Sequence, residues 1–393
     1  MQQSGTICNR KGGCGMRKVA VITPGSFVIP SARSSSVERV IEQVVPLARQ
    51  DLDIRIYGTG GRGLSLKGYV HGVPCIRLPA ASYHKSLVRG LTSWRPEVVE
   101  VNNRPFILQK LKARLPGVKM VLNLHSNTFI RPPSLKPGQF EAALGQADCI
   151  IVNSRYLKQF IEAGFRRMPP EIIVNHLGVR PEDFTPRFTP AVEALRGLQL
   201  AQRGWEGKKI LLFVGRLIPE KGVHHIIEAL PGIIAVHPDV HVLIIGSAGY
   251  SSDRETAYVR RLKQIARPVA PWITFQPYVP FPALVHWYTL GDVMVVPSST
   301  REAFGLVNVE AMATALPIVA AAAGGIPEVV EDGVSGLLVP PESLPWGLVA
   351  PINRLLGDES LRASMGAAGL ARCHRQFRWD LTAARWAQLM QRV

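Results

Sequence analysis

Cysteine is scarce in this chain of 393 residues: five, at positions 8, 14, 75, 149 and 373. The count is odd and the spacings do not repeat, so neither a disulfide framework nor a zinc-ligand set fits. Cys75 and Cys149 sit in apolar, strand-like runs, and buried reduced thiols of a cytosolic protein are expected. Long apolar runs are also missing. None approaches the ~18 residues that span a bilayer, which excludes an integral membrane protein of the helical kind. The first 18 residues are basic but hold no apolar stretch, so no secretory signal is read there. Residues 1–15 read as a disordered extension or a misjudged translation start. Acidic residues are short in one half only: residues 1–190 hold 27 Lys and Arg against 12 Asp and Glu, residues 191–393 hold 19 against 17. A basic front half suits an anionic partner: an acidic acceptor, a polyanionic polymer or the cytoplasmic face of a membrane. The basic–aromatic motifs of nucleic-acid modules are absent, and nucleic acid is not an expected partner.

What remains is 47% hydrophobic and 19% charged, the balance of a compact globular chain long enough for two cores. Short apolar runs alternate with helical patterns, which is the mark of a parallel sheet covered on both faces. Strands are expected at Val19–Thr23, Ile54–Tyr57, Val98–Val101, Met120–Leu124, Cys149–Asn153 and Ile172–Asn175. Helices are expected at Ser36–Arg49, Pro105–Arg114 and Arg155–Ala163. A turn-rich passage from Gly178 to Pro190 reads as an interdomain connection. A second series then begins: strands Ile210–Val214, His241–Ile245, Ile273–Phe275, Val293–Val296 and Ile318–Ala320, with helices Val223–Val236, Asp253–Ala266, Pro282–Leu290 and Leu306–Thr314. The fold class is α/β, two doubly wound halves facing across a cleft, with domains at 16–188 and 189–374. A final amphipathic segment, 375–393, either closes the back lobe or crosses to the front one. Ligands of such sheets bind at the carboxyl ends of the strands.

Two constellations in the back half carry chemistry. Glu302 and Glu310, eight residues apart, bracket Gly305 at a helix start. Free N–H groups and the dipole there suit a diphosphate, and each carboxylate can grip vicinal hydroxyls. About ninety residues earlier, strand Ile210–Val214 runs into Gly215-Arg216 and Lys221-Gly222. That spacing lets a guanidinium and an ammonium meet one diphosphate.

These motifs, with Ala323-Gly324-Gly325, resemble retaining glycosyltransferase family four, whose fold is GT-B. The resemblance spans residues 17–393. Within the family it is nearest the spore coat protein SA type, through Asn102-Asn103-Arg104-Pro105, Leu122-Asn123-Leu124-His125-Ser126, Phe213 to His225, Pro238-Asp239-Val240, Gly246-Ser247-Ala248-Gly249-Tyr250 and Pro297-Ser298-Ser299. The resemblance implies a hexosyltransferase using a nucleotide diphosphate sugar, by default a uridine one, in the cytoplasm, with peripheral membrane or spore coat association open. Arg216 and Lys221 would hold the diphosphate and stabilise the leaving group, Glu302 the donor sugar, and Glu310 the ribose. The backbone at Phe304, Gly305 and Leu306 would cap sugar and phosphate, and Tyr278-Val279 would lie against the base. No metal or cofactor is implied, since two cations and a helix N-terminus would do the electrostatic work. His125, at a strand end, matches the family's histidine beside the donor sugar.

Two departures stand out. Where relatives carry two glycines in the loop after the first strand, from Gly25 to Glu38, this chain has Ser34 and Ser35. Serine disfavours positive φ, so close approach of the backbone to phosphate is in question. The third place of Gly178-Val179-Arg180 is Asp in relatives. Gly58-Thr59-Gly60-Gly61-Arg62-Gly63 fits a dinucleotide fingerprint by letter but follows the second strand and starts no helix. Asp51-Leu52-Asp53 and His224-His225 lack the setting of metal sites. A sugar-nucleotide epimerase, a phosphorylase or a catalytically retired scaffold on the same fold remain open alternatives.

Overall fold

The computed structural model describes residues 15–30, 36–61, 63–136, 138–249 and 255–393. Expectations placed on residues 1–14, Ser34 and Ser35, and on Cys8 and Cys14, lie outside the described residues.

The front lobe is built on an eight-stranded sheet in the order β3-β4-β2-β1-β5-β6-β7-β8. Its strands are β1 Lys18–Ile22, β2 Asp53–Thr59, β3 Lys67–Val70, β4 Val73–Leu78, β5 Val98–Asn102, β6 Lys119–Leu124, β7 Cys149–Val152 and β8 Glu171–Val174. All pairings are parallel except the β3–β4 hairpin. The back lobe has six parallel strands in the order β11-β10-β9-β12-β13-β14: β9 Lys209–Val214, β10 Val240–Ile245, β11 Ile273–Gln276, β12 Val293–Val296, β13 Ile318–Ala321 and β14 Gly336–Val339. Central strands such as β10 and β12 are buried at every position. Helices cover both faces, so nothing forces the polar alternation of a half-solvated strand.

Helices depart from expectation where proline or packing intervenes. The helix expected over Ser36–Arg49 is α-helical only to Val44, and Pro46 tightens the rest into a 3₁₀ turn, Val45–Ala48. The helix expected over Pro282–Leu290 contracts to Val285–Tyr288. The β3–β4 hairpin and helix Tyr83–Trp94 lie where no element was expected, as do strand β14 and helix Glu359–Gln376. The fingerprint-like glycines run from β2 into that hairpin rather than a helix, and a Cβ on Gly61 would meet Val28 at 2.4 Å.

The passage from Gly178 to Pro190 is an ordered crossing. Val179 N–H donates to Phe377 O at 2.9 Å and Trp379 N–H to Val179 O at 3.0 Å. The outgoing and returning chains thus run side by side. A Cβ on Gly178 would lie 2.3 Å from the Arg378 carbonyl carbon, so only glycine fits there. Farther on, Arg187 N–H donates to Thr314 O at 2.7 Å, and its buried guanidinium reaches Asp292 at 2.9 Å. The last helix, Trp379–Arg392, crosses to the front lobe and packs on helix Ser36–Val44 and the 3₁₀ turn after it. Its Trp386, Leu389 and Met390 join one apolar cluster with front-lobe Val40, Ile41 and Val44.

Candidate active site

The carboxyl ends of both sheets face each other, and the expected residues distribute over two walls. On the back wall, β9 ends at Val214 and the chain turns through Gly215 and Arg216 into a 3₁₀ turn, Pro219–Lys221. Gly222 follows at φ +70°, where a Cβ would lie 2.1 Å from Pro297 O. This close approach brings the turn onto the loop after β12. There Lys221 Nζ pairs with Glu302 Oε2, and Ser298 Oγ donates to the same oxygen at 3.3 Å. Two residues expected to serve one diphosphate sugar are therefore in contact across 81 residues of sequence.

The backbone of Glu302 is gripped from behind. Gly325 N–H donates to Glu302 O at 2.8 Å. Gly324 sits at φ +59° with room for no Cβ, since one would lie 2.0 Å from the same oxygen. Arg301, a non-glycine residue, is held at φ +61°. Backbone strain of this kind costs roughly 1–3 kcal/mol and persists where surroundings over-determine it. Gly305, at φ +78°, is the N-cap of helix Leu306–Ala313. Phe304 is buried and stacks on His176 at a centroid distance of 5.9 Å. Tyr278 N–H donates to Ser247 Oγ at 3.2 Å, and Val279 is buried.

Glu310 lies deeper, its side chain 3% exposed. One carboxylate oxygen accepts from Arg39 Nη2 at 2.6 Å and the other from Tyr288 Oη at 2.5 Å. Arg39 comes from the front-lobe helix Ser36–Val44, and its guanidinium lies 4.0 Å from the centroid of the Phe281 ring. This cross-cleft partner was missed in the sequence because 271 residues separate the two and no local spacing marks it. A second bridge joins the lobes at Glu328, which accepts from the N–H groups of Arg155 and Tyr156, both at 2.8 Å, and meets His176 Nε2 at 3.0 Å. Burial acts to raise the Glu328 pKa, but the hydrogen bond with His176 and those from the two N–H groups, which open the front-lobe helix Arg155–Ala163, outweigh it and leave the pKa lowered.

Apart from Arg39, the front wall around His125 is built of neutral groups. His125 follows β6, its N–H donating to Asn103 Oδ1 at 2.8 Å and its carbonyl accepting from Asn153 Nδ2 at 3.1 Å. Asn103 achieves this from φ +55°, a conformation asparagine tolerates. The ring lies against Asn102 Oδ1, 3.0 Å from Nε2. Burial pushes the His125 pKa down to about 4, so the imidazole is uncharged near neutrality. Gly25 lies after β1 at φ +78°, with Thr59 and Tyr83 beside it.

Outside the cleft, packing accounts for the thiols and for the histidine pair. Cys75, Cys149 and Cys373 are buried free thiols, and burial raises each pKa, Cys75 to about 11 and the others to about 12. His224 and His225 lie ring to ring at 3.9 Å, with His224 Nδ1 2.8 Å from Tyr258 Oη. Among the described residues no group of three or more His, Cys, Asp or Glu could hold a metal ion. Likewise no helix among them is long and apolar enough to cross a membrane.

Two facing parallel-sheet lobes with this wall of strand-end loops define a GT-B glycosyltransferase. The comparisons carry this further. Residues 37–183 match the model for "Glycosyltransferase Family 4" and residues 198–372 that for "Glycosyl transferases group 1". The spore coat protein SA of Bacillus subtilis (strain 168) is 30% identical over 366 residues, covering 93% of this chain and 97% of its own. The chain belongs to glycosyltransferase family four. Among solved structures, Alr3699/HepE of Anabaena, crystallised in complex with UDP-glucose, superposes with a TM-score of 0.74 at 19% identity over 95% of this chain and all of that one. Sucrose-phosphate synthase of Thermosynechococcus elongatus gives 0.75 at 20% identity over 96% and 98%. These two likenesses speak for the fold alone.

Proposed function

We propose that the chain transfers a hexose from a uridine diphosphate sugar to an acceptor hydroxyl with retention at the anomeric carbon, without a metal. The observation that carries this is the contact of Lys221 with Glu302 at the carboxyl ends of β9 and β12. It brings a diphosphate cation and a sugar-binding carboxylate onto one patch. Arg216, on the same loop as Lys221, adds a second cation for the leaving diphosphate. Glu302 accepts from the sugar hydroxyls, and the start of helix Leu306–Ala313 offers its N–H groups to sugar and phosphate. Glu310 grips the ribose, and Tyr278-Val279 flank the base. His125 faces the donor sugar from the front wall. The uridine donor is supported by the UDP-glucose complex of the HepE structure.

Retention in hydrolases uses two carboxylates about 5 Å apart, one of them a nucleophile. The carboxyl that lines the same hollow as His125 is Glu100, whose oxygens accept from Asn123 Nδ2 at 2.6 Å and Trp386 Nε1 at 2.7 Å. It is only 2% exposed and not placed to attack a sugar. A same-face route follows: the acceptor oxygen bonds to C1 as the C1–O bond to the diphosphate breaks. The acceptor proton passes to a departing phosphate oxygen held by Arg216 and Lys221. We place the acceptor among cell-envelope or spore coat glycans, on the likeness to spore coat protein SA and on the basic front half.

Incubation with UDP-glucose and other nucleotide sugars, followed by product analysis, tests this. Release of nucleoside diphosphate with the donor's anomeric configuration kept in the product supports it. Conversion to an epimeric sugar nucleotide, or no thermal stabilisation by uridine diphosphate, defeats it.

A further inference from the structure

Beneath His125 the front lobe has a small hollow of about 20 Å³, lined by polar and apolar side chains together. It lies between strand ends β5 to β8 and the crossing helix Trp379–Arg392. Of the residues lining it, only Glu100 and His125 are titratable. Glu100 is fully enclosed yet satisfied: Trp386 and Asn123 donate to its two oxygens, and the Asn102 amide, two residues along the same face of β5, stands close enough to favour its charged form. Asn102 Nδ2 also donates to Ile22 O at 3.2 Å. Both of these partners accept, which commits the amide nitrogen of Asn102 to that side. Its oxygen is thereby turned to His125 Nε2, at 3.0 Å. The other ring nitrogen, Nδ1, is buried and has no hydrogen-bond partner.

We infer that Glu100 is a positioning residue for the transfer reaction: acting through Asn102, it fixes His125 as the Nε2–H tautomer and leaves Nδ1 as a bare acceptor for a donor-sugar hydroxyl. A neutral imidazole carries one N–H, and an amide oxygen facing Nε2 requires the proton there. A lone pair left unsatisfied in a buried place costs about 1–3 kcal/mol, a penalty relieved when a hydroxyl donates to it. Burial keeps the ring uncharged, so the acceptor lone pair survives across the neutral range. Trp386 ties the crossing helix into the same device, since its indole fills one oxygen of Glu100. The inference rests on the reading that His125 lies beside the donor sugar.

The test is the tautomer itself. In the full chain with ¹⁵N-labelled histidine, two-bond ¹H–¹⁵N spectra should show His125 as Nε2–H. In Glu100→Gln the new amide donates toward Asn102 and turns it over. His125 should then shift to Nδ1–H, and kcat with UDP-glucose should fall about 10–100-fold, the usual cost of losing an orienting partner. Melting stabilisation by uridine diphosphate should not change. Asn102→Asp keeps an acceptor on Nε2 and should keep the tautomer, while its charge brings a histidine titration into the pH 5–8 rate profile. Should Glu100→Gln lose its cooperative melt, Asn102→Leu removes the acceptor directly and must release the tautomer. An Nδ1–H form in the unaltered chain, or a tautomer indifferent to these changes, overturns the inference. A tautomer that switches with kcat unmoved upholds the grip of Glu100 on His125 and defeats the placement of His125 beside the sugar.

Discussion

The two walls of the cleft hold their functional groups by different physics. The back wall uses opposite charges and bare backbone: Lys221 on Glu302, Gly222 pressed on Pro297, Gly324 pressed on Glu302 and Gly325 on Ala303. The front wall uses neutral amides. Asn102, Asn103 and Asn153 stand at or just past the ends of β5 and β7 and fix His125 from several sides, while Asn123 near the end of β6 donates to Glu100. A charged wall suits a ligand that carries charge, such as a diphosphate. The neutral surroundings of His125 suit a sugar, whose hydroxyls need aligned donors and acceptors but no counter-charge. Removing a group from the first should disturb leaving-group departure, and from the second orientation.

The largest expected effect is on the back wall. Arg216→Ala should lower turnover of UDP-glucose by about 10²–10³, typical of losing one charge-stabilising donor. Unchanged turnover in steady-state assays removes Arg216 from the mechanism. Next comes Gly324→Ala, whose Cβ would lie 2.0 Å from Glu302 O at a positive φ. It should lower turnover at least about tenfold and stability by roughly 1–3 kcal/mol, read by kinetics and by denaturant melts. Glu310→Gln should raise the uridine diphosphate Kd about 10–100-fold, the scale of the 1.5–3 kcal/mol of a charge-assisted hydrogen bond. Calorimetry reads this, and turnover at saturating donor should stay within a few-fold. An equal loss in both would place Glu310 at the reacting centre instead.

The smallest effect separates the walls from their surroundings. His125 on the front wall and His224 and His241 in the back lobe all have pKa values pushed from 6.5 down to about 4, chiefly by burial. Between those values the unfolded chain binds protons that the folded chain refuses, so stability falls as pH drops from 6.5 towards 4. The melting temperature should decline over that window and hold steady above it. His241→Gln, which can keep a hydrogen bond to Thr274 Oγ1 (2.9 Å from Nε2), should make the decline shallower. A slope identical to that of the unaltered chain would remove His241 as a contributor.

How far the sequence could be read follows the same division. The back wall's chemistry is written in short spacings, Arg216 to Lys221 and Glu302 to Glu310, because each pair lies on one loop or one helix start. Helices Pro105–Arg114 and Arg155–Ala163 were readable to the residue from proline at the first turn or serine at the cap. The hairpin β3–β4 was not, since its strands mix polar residues with glycine and proline and sit at a sheet edge. Nor were Arg39 and Glu100 recognised as site residues. Arg39 reads as one more surface cation until Glu310 arrives from the other lobe. Glu100 reads as the polar residue within an apolar strand, and only the fold supplies its three donors.

The crossing helix imposes an order on synthesis. Glu100 receives its indole partner from a residue made 286 positions later. On the ribosome, where domains commonly fold in turn as they emerge, the first-made lobe must wait with a carboxyl group unquenched while the whole second lobe is translated. Until Trp386 emerges, that nascent lobe holds an unfinished core, exposed to chaperones.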